Sequence, residues 1–178
     1  MSITMHAIAI GSFVPMLRSL SGLLDKGSEH ARAKKFDASV LAQGRLAPDM
    51  FPLGRHVPIA CTIAEEATAR LTGEPEPPKS DGDATIEAMK SRIDATIARL
   101  EKVPASAFEG AEDRQIEIPI SDETAFRMSG LEYLRDWALP QFYFHVVTTY
   151  AILRHDGVEL GIADYDAHVG RYLTQRHA

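Results

Sequence analysis

Four stretches of this sequence repeat apolar residues at steps of three and four, so each forms a helix whose apolar face must be hidden against another. The first runs from Phe13 to about Lys35 through Met16, Leu17, Leu20, Leu24, Gly27 and Ala31, with Ser12 as its expected N-cap and Pro15 in its first turn. The second runs from about Pro52 to Leu71. It turns Leu53, Val57, Ala60, Cys61, Ala64, Ala67 and Leu71 inward and Glu65, Glu66 and Arg70 to water. Asp49 is its expected cap, and Pro58 predicts either a kink near Gly54 or a helix start there. The third begins at about Asp83 or Thr85, carries Ile86, Met89, Ile93, Ile97 and Leu100 at core spacing, and stops before Pro104. The fourth opens at the Ser129-x-x-Glu132 capping box, bends at Pro140 and ends at Gly157 after about Asp156. Before it, Gln115 to Ile120 alternates isoleucine with polar residues and is expected to pair with Thr124 to Met128 as a hairpin.

Four one-faced helices satisfy their apolar faces only against one another. The expected fold is therefore all-α: a four-helix bundle with a small β-hairpin before the last long helix. Residues 1–161 make up the bundle and residues 162–178 a C-terminal extension, in which Tyr165, Val169 and Tyr172 suggest one more turn or helix. The connections after the first and third helices are long enough to depart from a simple up-and-down order. In the loops, Arg45 is expected to tie its loop down by a salt bridge, and Arg114 to pair within the acidic turn of Glu109, Glu112 and Asp113.

Composition narrows the partners. Nineteen basic and twenty-five acidic residues give a net charge of -6 with the basic residues scattered, which argues against a nucleic-acid groove or an acidic membrane surface. No apolar run approaches the ~20 residues that span a bilayer, and no basic residue precedes the modest apolar stretch from Met1 to Ile10. With Cys61 as its single cysteine the chain closes no internal disulfide. The expectation is a soluble, cytoplasmic, unprocessed protein. Gly-x-Gly-x-x-Gly, Walker, nucleophile-elbow, Cys-x-x-Cys and His-Glu-x-x-His patterns are all missing, so dinucleotide redox chemistry and phosphoryl transfer have no support.

Polar residues on inward stripes mark where chemistry could sit in a bundle. On the fourth helix, Leu134, Trp137, Ala138, Gln141, His145, Thr148 or Thr149 and Ile152 form the inner stripe, beside the belt of Phe142, Tyr143 and Phe144. Gln141 and His145 are four apart and share a face, and His56 lies at the start of the second helix. Two imidazoles and an amide oxygen could hold a divalent ion weakly, with positions left for water or substrate. The competing reading is a hydrogen-bonded core set, with His145 bonded to Thr148, Tyr150 or a backbone carbonyl. His6, His30, His155, His168 and His177 show no such pairing and are expected at the surface. Cys61 is expected to be inert packing.

Four blocks carry a family likeness: Leu46 to Leu53, Phe108 to Arg114, Leu139 to His145, and Tyr150 to Val158. In this order they resemble an uncharacterised bacterial family, domain of unknown function nineteen ninety-three, placed with the DinB/YfiT-like helical bundles. The resemblance extends from near the N-terminus to about Gly161. It implies a DinB-like four-helix bundle, commonly a homodimer, in a superfamily whose better-known members are metal-dependent and include thiol S-transferases and a thiol-dependent isomerase. Those members resemble one another in a histidine on the second helix and a His-x-x-x-His on the fourth. By that pattern His145 matches the second histidine of the pair, Gln141 stands where the first would be, and His56 is near the second-helix position. The expected site is thus a degenerate metal centre of His56, Gln141 and His145, with Zn, Ni or Mn at low occupancy. It would serve a metal-dependent hydrolase or thiol transferase. The alternative is a non-catalytic small-molecule-binding or dimerisation module.

Overall fold

The computed structural model describes residues 3–78 and 82–174. Helix α1 spans Met5–Lys34, α2 Leu53–Thr72, α3 Ile86–Leu100 and α4 Leu139–His155. Helix α1 begins two turns earlier than the sequence suggested, because Met5 and Ala9 extend the buried stripe that reaches Phe13 and Leu17. Its cap is Thr4, whose hydroxyl accepts the Ala7 N–H at 3.1 Å. Ser12 and Pro15 therefore lie inside the helix, with Pro15 buried. By length and composition α1 is apolar enough to cross a membrane, contrary to the expectation of no such stretch. Half of that apolar window is buried in the bundle, and Arg18, Asp25, Lys26 and Glu29 interrupt the helix, so a core helix accounts for it.

Helix α2 starts at Leu53 with Pro52 in the capping position and no side-chain cap, so Asp49 does not fill the role expected of it. Pro58 lies buried in the second turn and the helix continues through it to Gly73. Thr85 caps α3, accepting the Ala88 N–H at 3.1 Å. Strands β1 (Gln115–Pro119) and β2 (Ala125–Ser129) pair antiparallel, with Ile118 opposite Phe126, and β1 turns Ile116 and Ile118 to the core. The capping box forms as read: the Glu132 N–H donates to Ser129 Oγ and the Ser129 N–H donates to Glu132 Oε2 at 2.8 Å.

The expected bend at Pro140 takes a particular form. A single turn at Gly130–Glu132 leads into a π-helical segment, Tyr133–Ala138, and only then into α4. Proline at 140 offers no N–H to the carbonyl four residues back and crowds it, and a wider turn directly upstream absorbs both effects.

Ion pairs and ring contacts give the helix directions. Arg18 meets Glu101 and Asp25 meets Lys90, so α1 and α3 run antiparallel. Glycine 54 lies against residue 83 and Glu65 against Thr96 and Arg99, so α2 and α3 run parallel. His56 meets His145 at one end while Arg70 covers the Tyr133 ring at the other, which makes α2 antiparallel to the last helical run. The order is up, down, down, up, and the long α2–α3 crossing makes the parallel pair feasible. At the centre, Phe13 and Phe142 pack edge to face at 5.0 Å between centroids, both fully buried. The C-terminal extension forms helix α5 (Ile162–Tyr165) and a 3-10 turn, Ala167–Tyr172. It lies on α1 through a Lys26–Asp164 ion pair at 2.6 Å and sets Tyr165 edge-on to Tyr150.

Candidate functional site

Two of the three proposed ligands converge. His56 Nδ1 lies 2.9 Å from His145 Nδ1, and His56 Nε2 lies 3.1 Å from the Phe51 carbonyl oxygen. The loop ahead of α2 creates this arrangement. Arg45 Nη1 donates to the carbonyls of Pro48 and Met50, both at 3.3 Å, and so braces the loop through backbone oxygens instead of the carboxylate expected. The Leu53 N–H closes the loop by donating to Gly44 O at 2.9 Å. Gly54 lets the helix start sit tight, since a Cβ there would fall 2.3 Å from the Asp83 carbonyl oxygen. The Phe51 carbonyl is thereby held facing His56, the first inward polar side chain of α2.

A carbonyl only accepts, so neutral His56 carries its proton on Nε2 and presents a lone pair at Nδ1. His145 must then donate from Nδ1, which leaves its Nε2 with a lone pair. Among the described residues no hydrogen-bond partner reaches that nitrogen. Both rings are held neutral. Burial lowers the His56 pKa, with the Phe51 carbonyl opposing, and burial followed by the charge of His56 pushes His145 down to about 4.

With the His145 proton moved from Nδ1 to its open Nε2, the same two Nδ1 atoms would both offer lone pairs and suit a metal. Two imidazole nitrogens, each ~2.05 Å from one ion and at right angles about it, lie about 2.9 Å apart. The bond from His56 Nε2 to a backbone carbonyl is the outer support that ligating histidines use. Gln141 stands half-buried one turn before His145, and among the described residues it bonds to neither imidazole. No cluster of three His, Cys, Asp or Glu side chains is present among the described residues, so the site rests on two imidazoles and whatever Gln141 adds.

Two phenylalanines flank the pair. Phe51 is 52% exposed and packs edge-on to His56, while Phe144 is 55% exposed and packs against both histidines, with its centroid 5.2 Å from that of His145. Sequence reasoning placed Phe144 in an aromatic belt and missed Phe51 and its carbonyl. The prolines at 48 and 52 were the available signal of a built loop.

The remaining candidates separate. Cys61 is buried, with its thiol pushed up to about 12 by burial, so it is inert as expected. His6 is half-buried edge-on to Phe108 and His30 edge-on to Phe36, which corrects the surface placement of both. His155 is exposed, His168 is half-buried, and His177 lies outside the described residues. Arg114 donates to the Leu71 carbonyl at 3.1 Å, satisfying the end of α2 instead of pairing within its acidic turn. The Thr148 and Thr149 hydroxyls donate to the carbonyls of Phe144 and His145 one turn back, leaving His145 to His56.

A family model, Domain of unknown function (DUF1993), matches residues 5–166. The chain belongs to this family. The DUF1993 match runs five residues past Gly161 and takes in α5. Among solved structures the chain is similar to a DinB family member protein from Shewanella denitrificans, at 36% identity over 90% of each chain and a TM-score of 0.83. No curated protein matches it. The fold is thus a DinB-like helical bundle with a two-stranded hairpin among the described residues.

Proposed function

We propose that this DUF1993 chain is a cytoplasmic homodimer with a weak, open metal centre held by His56, His145 and Gln141, serving a hydrolase or thiol-transferase reaction. The observation that carries the reading is the 2.9 Å approach of the two Nδ1 atoms from antiparallel helices. His56 and His145 would be the imidazole ligands, with the Gln141 amide oxygen as the third. Bound there, a divalent ion such as zinc, nickel or manganese would supply Lewis acidity toward water or a small thiol.

The chain's own residues prepare the site. The Phe51 carbonyl fixes the His56 tautomer and ring plane, and burial keeps both imidazoles neutral, the charge state from which histidine binds metal. A donor set without carboxylate or thiolate leaves an ion its full charge while holding it loosely. Phe51 and Phe144 place apolar surface at the rim for a substrate's hydrocarbon part.

Elemental analysis of protein purified without added metal, with calorimetric titration of zinc, nickel and manganese, tests the proposal. About one ion per chain, lost in His145→Ala and weakened in Gln141→Ala, supports it. Protein that binds none of the three and melts identically with and without chelator overturns it, and a non-catalytic binding or dimerisation module takes its place.

A further inference from the structure

Helices α2 and α3 run parallel and end side by side, so the chain between them must travel back to the start of α2, where Gly54 meets residue 83. It leaves α2 at Gly73, whose φ of 78° is left-handed, and continues as Glu74-Pro75-Glu76-Pro77-Pro78. Prolines donate no N–H and hold φ fixed, so this segment builds neither helix nor ladder against the helices beneath it. Arg70 pins it, donating from Nε to Glu76 Oε1 at 2.7 Å. Under it, between the last turns of α2, the end of α3 and the 3-10 turn Ala105–Phe108, lies a cleft of about 400 Å³, the size of a small-molecule site.

The walls of the cleft are apolar: Ala69, Pro75, Pro77, Leu100, Val103 and Pro104. On the α2 side Thr68 donates its hydroxyl to the Ala64 carbonyl at 2.8 Å and Thr72 to the Thr68 carbonyl at 2.9 Å, so both threonines are satisfied within their own helix. Two acids and two bases border the cleft among the described residues. Glu65 and Arg99 neutralise one another, with Arg99 Nε donating to Glu65 Oε1 at 3.0 Å. Glu74 on the linker and Lys102 just past α3 are exposed, and no ion pair or hydrogen bond among the described residues holds either side chain. One carboxylate and one ammonium thus face a single apolar cleft from different elements. The cleft is well removed from the histidine pair, since Thr68 stands about 18 Å beyond His56 along α2.

We propose that this cleft binds a free amino acid with an apolar side chain, of the size of leucine or phenylalanine. The side chain lies between the prolines and Val103, the carboxylate meets Lys102 and the ammonium meets Glu74, each through a charge-assisted hydrogen bond. The pattern of charge selects this class. A simple organic acid would gain Lys102 but place its charge near Glu74, an organic amine has the converse fault, and a peptide terminus carries only one of the two charges. Neither the histidine pair nor a metal takes part.

The test is isothermal titration calorimetry of the full chain at pH 7 with phenylalanine, leucine, glycine, 3-phenylpropionate and 2-phenylethylamine. A chelator is present throughout, because free amino acids also coordinate metal ions, so the outcome is independent of the reading of the histidine site. The expected result is one phenylalanine or leucine per chain, bound about tenfold or more tighter than glycine or either singly charged analogue. Lys102→Gln and Glu74→Gln alter exposed side chains and should keep the helical circular-dichroism signal, while each raises the Kd for phenylalanine about tenfold. No saturable binding of phenylalanine or leucine at millimolar concentration, an analogue that binds as tightly as they do, or a Kd unmoved by both substitutions would overturn the proposal.

Discussion

His56 Nδ1 and His145 Nδ1 meet at 2.9 Å across two helices that run in opposite directions, and both imidazoles are held neutral there. The native pair refuses protons that the unfolded chain accepts. Stability rises with pH wherever the unfolded state binds more protons, so this contribution is complete above an ordinary histidine pKa of about 6.5 and is lost as pH falls toward about 4. In metal-free protein the urea midpoint should be flat near neutrality and fall through that window, more shallowly in His145→Gln. An equally steep fall in the variant removes the histidine pair as the cause.

The Cys61 thiol, pushed up to about 12 and buried, should not react with a disulfide reagent such as dithionitrobenzoate in native protein at pH 8. One equivalent should appear after unfolding in guanidinium. Rapid native labelling would show that α2 opens in a way this packing does not allow.

Phe142 and Phe144 are two residues apart and opposite in role. Phe142 is fully buried against Phe13, so Phe142→Ala should cost about 3–5 kcal/mol. Phe144 is 55% exposed, and Phe144→Ala should cost well under half of that, about 1 kcal/mol, at concentrations too low for association. Equal losses in denaturant melts would mean that the outer face of α4 is not a free surface in the monomer.

Gly130 opens the last helical run directly against the backbone of residue 111. A Cβ there would stand 1.8 Å from the Ala111 carbonyl oxygen, so Gly130→Ala must move the turn at residue 111 away from the helix start. The expected loss is about 3 kcal/mol or more, visible in thermal unfolding. A change below about 0.5 kcal/mol would place that contact outside the stabilising core.

Much of the bundle could be read because helical periodicity is a local property. Leu53 to Leu71 and Ile86 to Leu100 announce their buried faces within single turns, and Ser129 with Glu132 announces a cap within four residues. The misreadings occurred where local signals competed. Pro15 looked like a first-turn residue, yet Met5 and Ala9 found core partners and carried α1 past it. Arg45 and Arg114 were matched to acidic neighbours in sequence, while in the fold unpaired loop and helix-end carbonyls lay nearer their guanidinium groups.

At the candidate site, residue type and spacing picked out His56 and His145, since polar side chains on apolar stripes stand out one helix at a time. Their meeting could not be derived that way, because the residues are 89 positions apart and the contact depends on how α2 and α4 pack. Nor could the Phe51 carbonyl, which every residue type possesses and only the fold of a loop can aim. The sequence by itself determined which faces are buried and where α2 and α3 start and stop, because those follow from side-chain polarity repeated at the helical period. Tertiary structure alone decided the up-down-down-up order and the histidine tautomers, because each depends on which surfaces lie next to one another once the helices have packed.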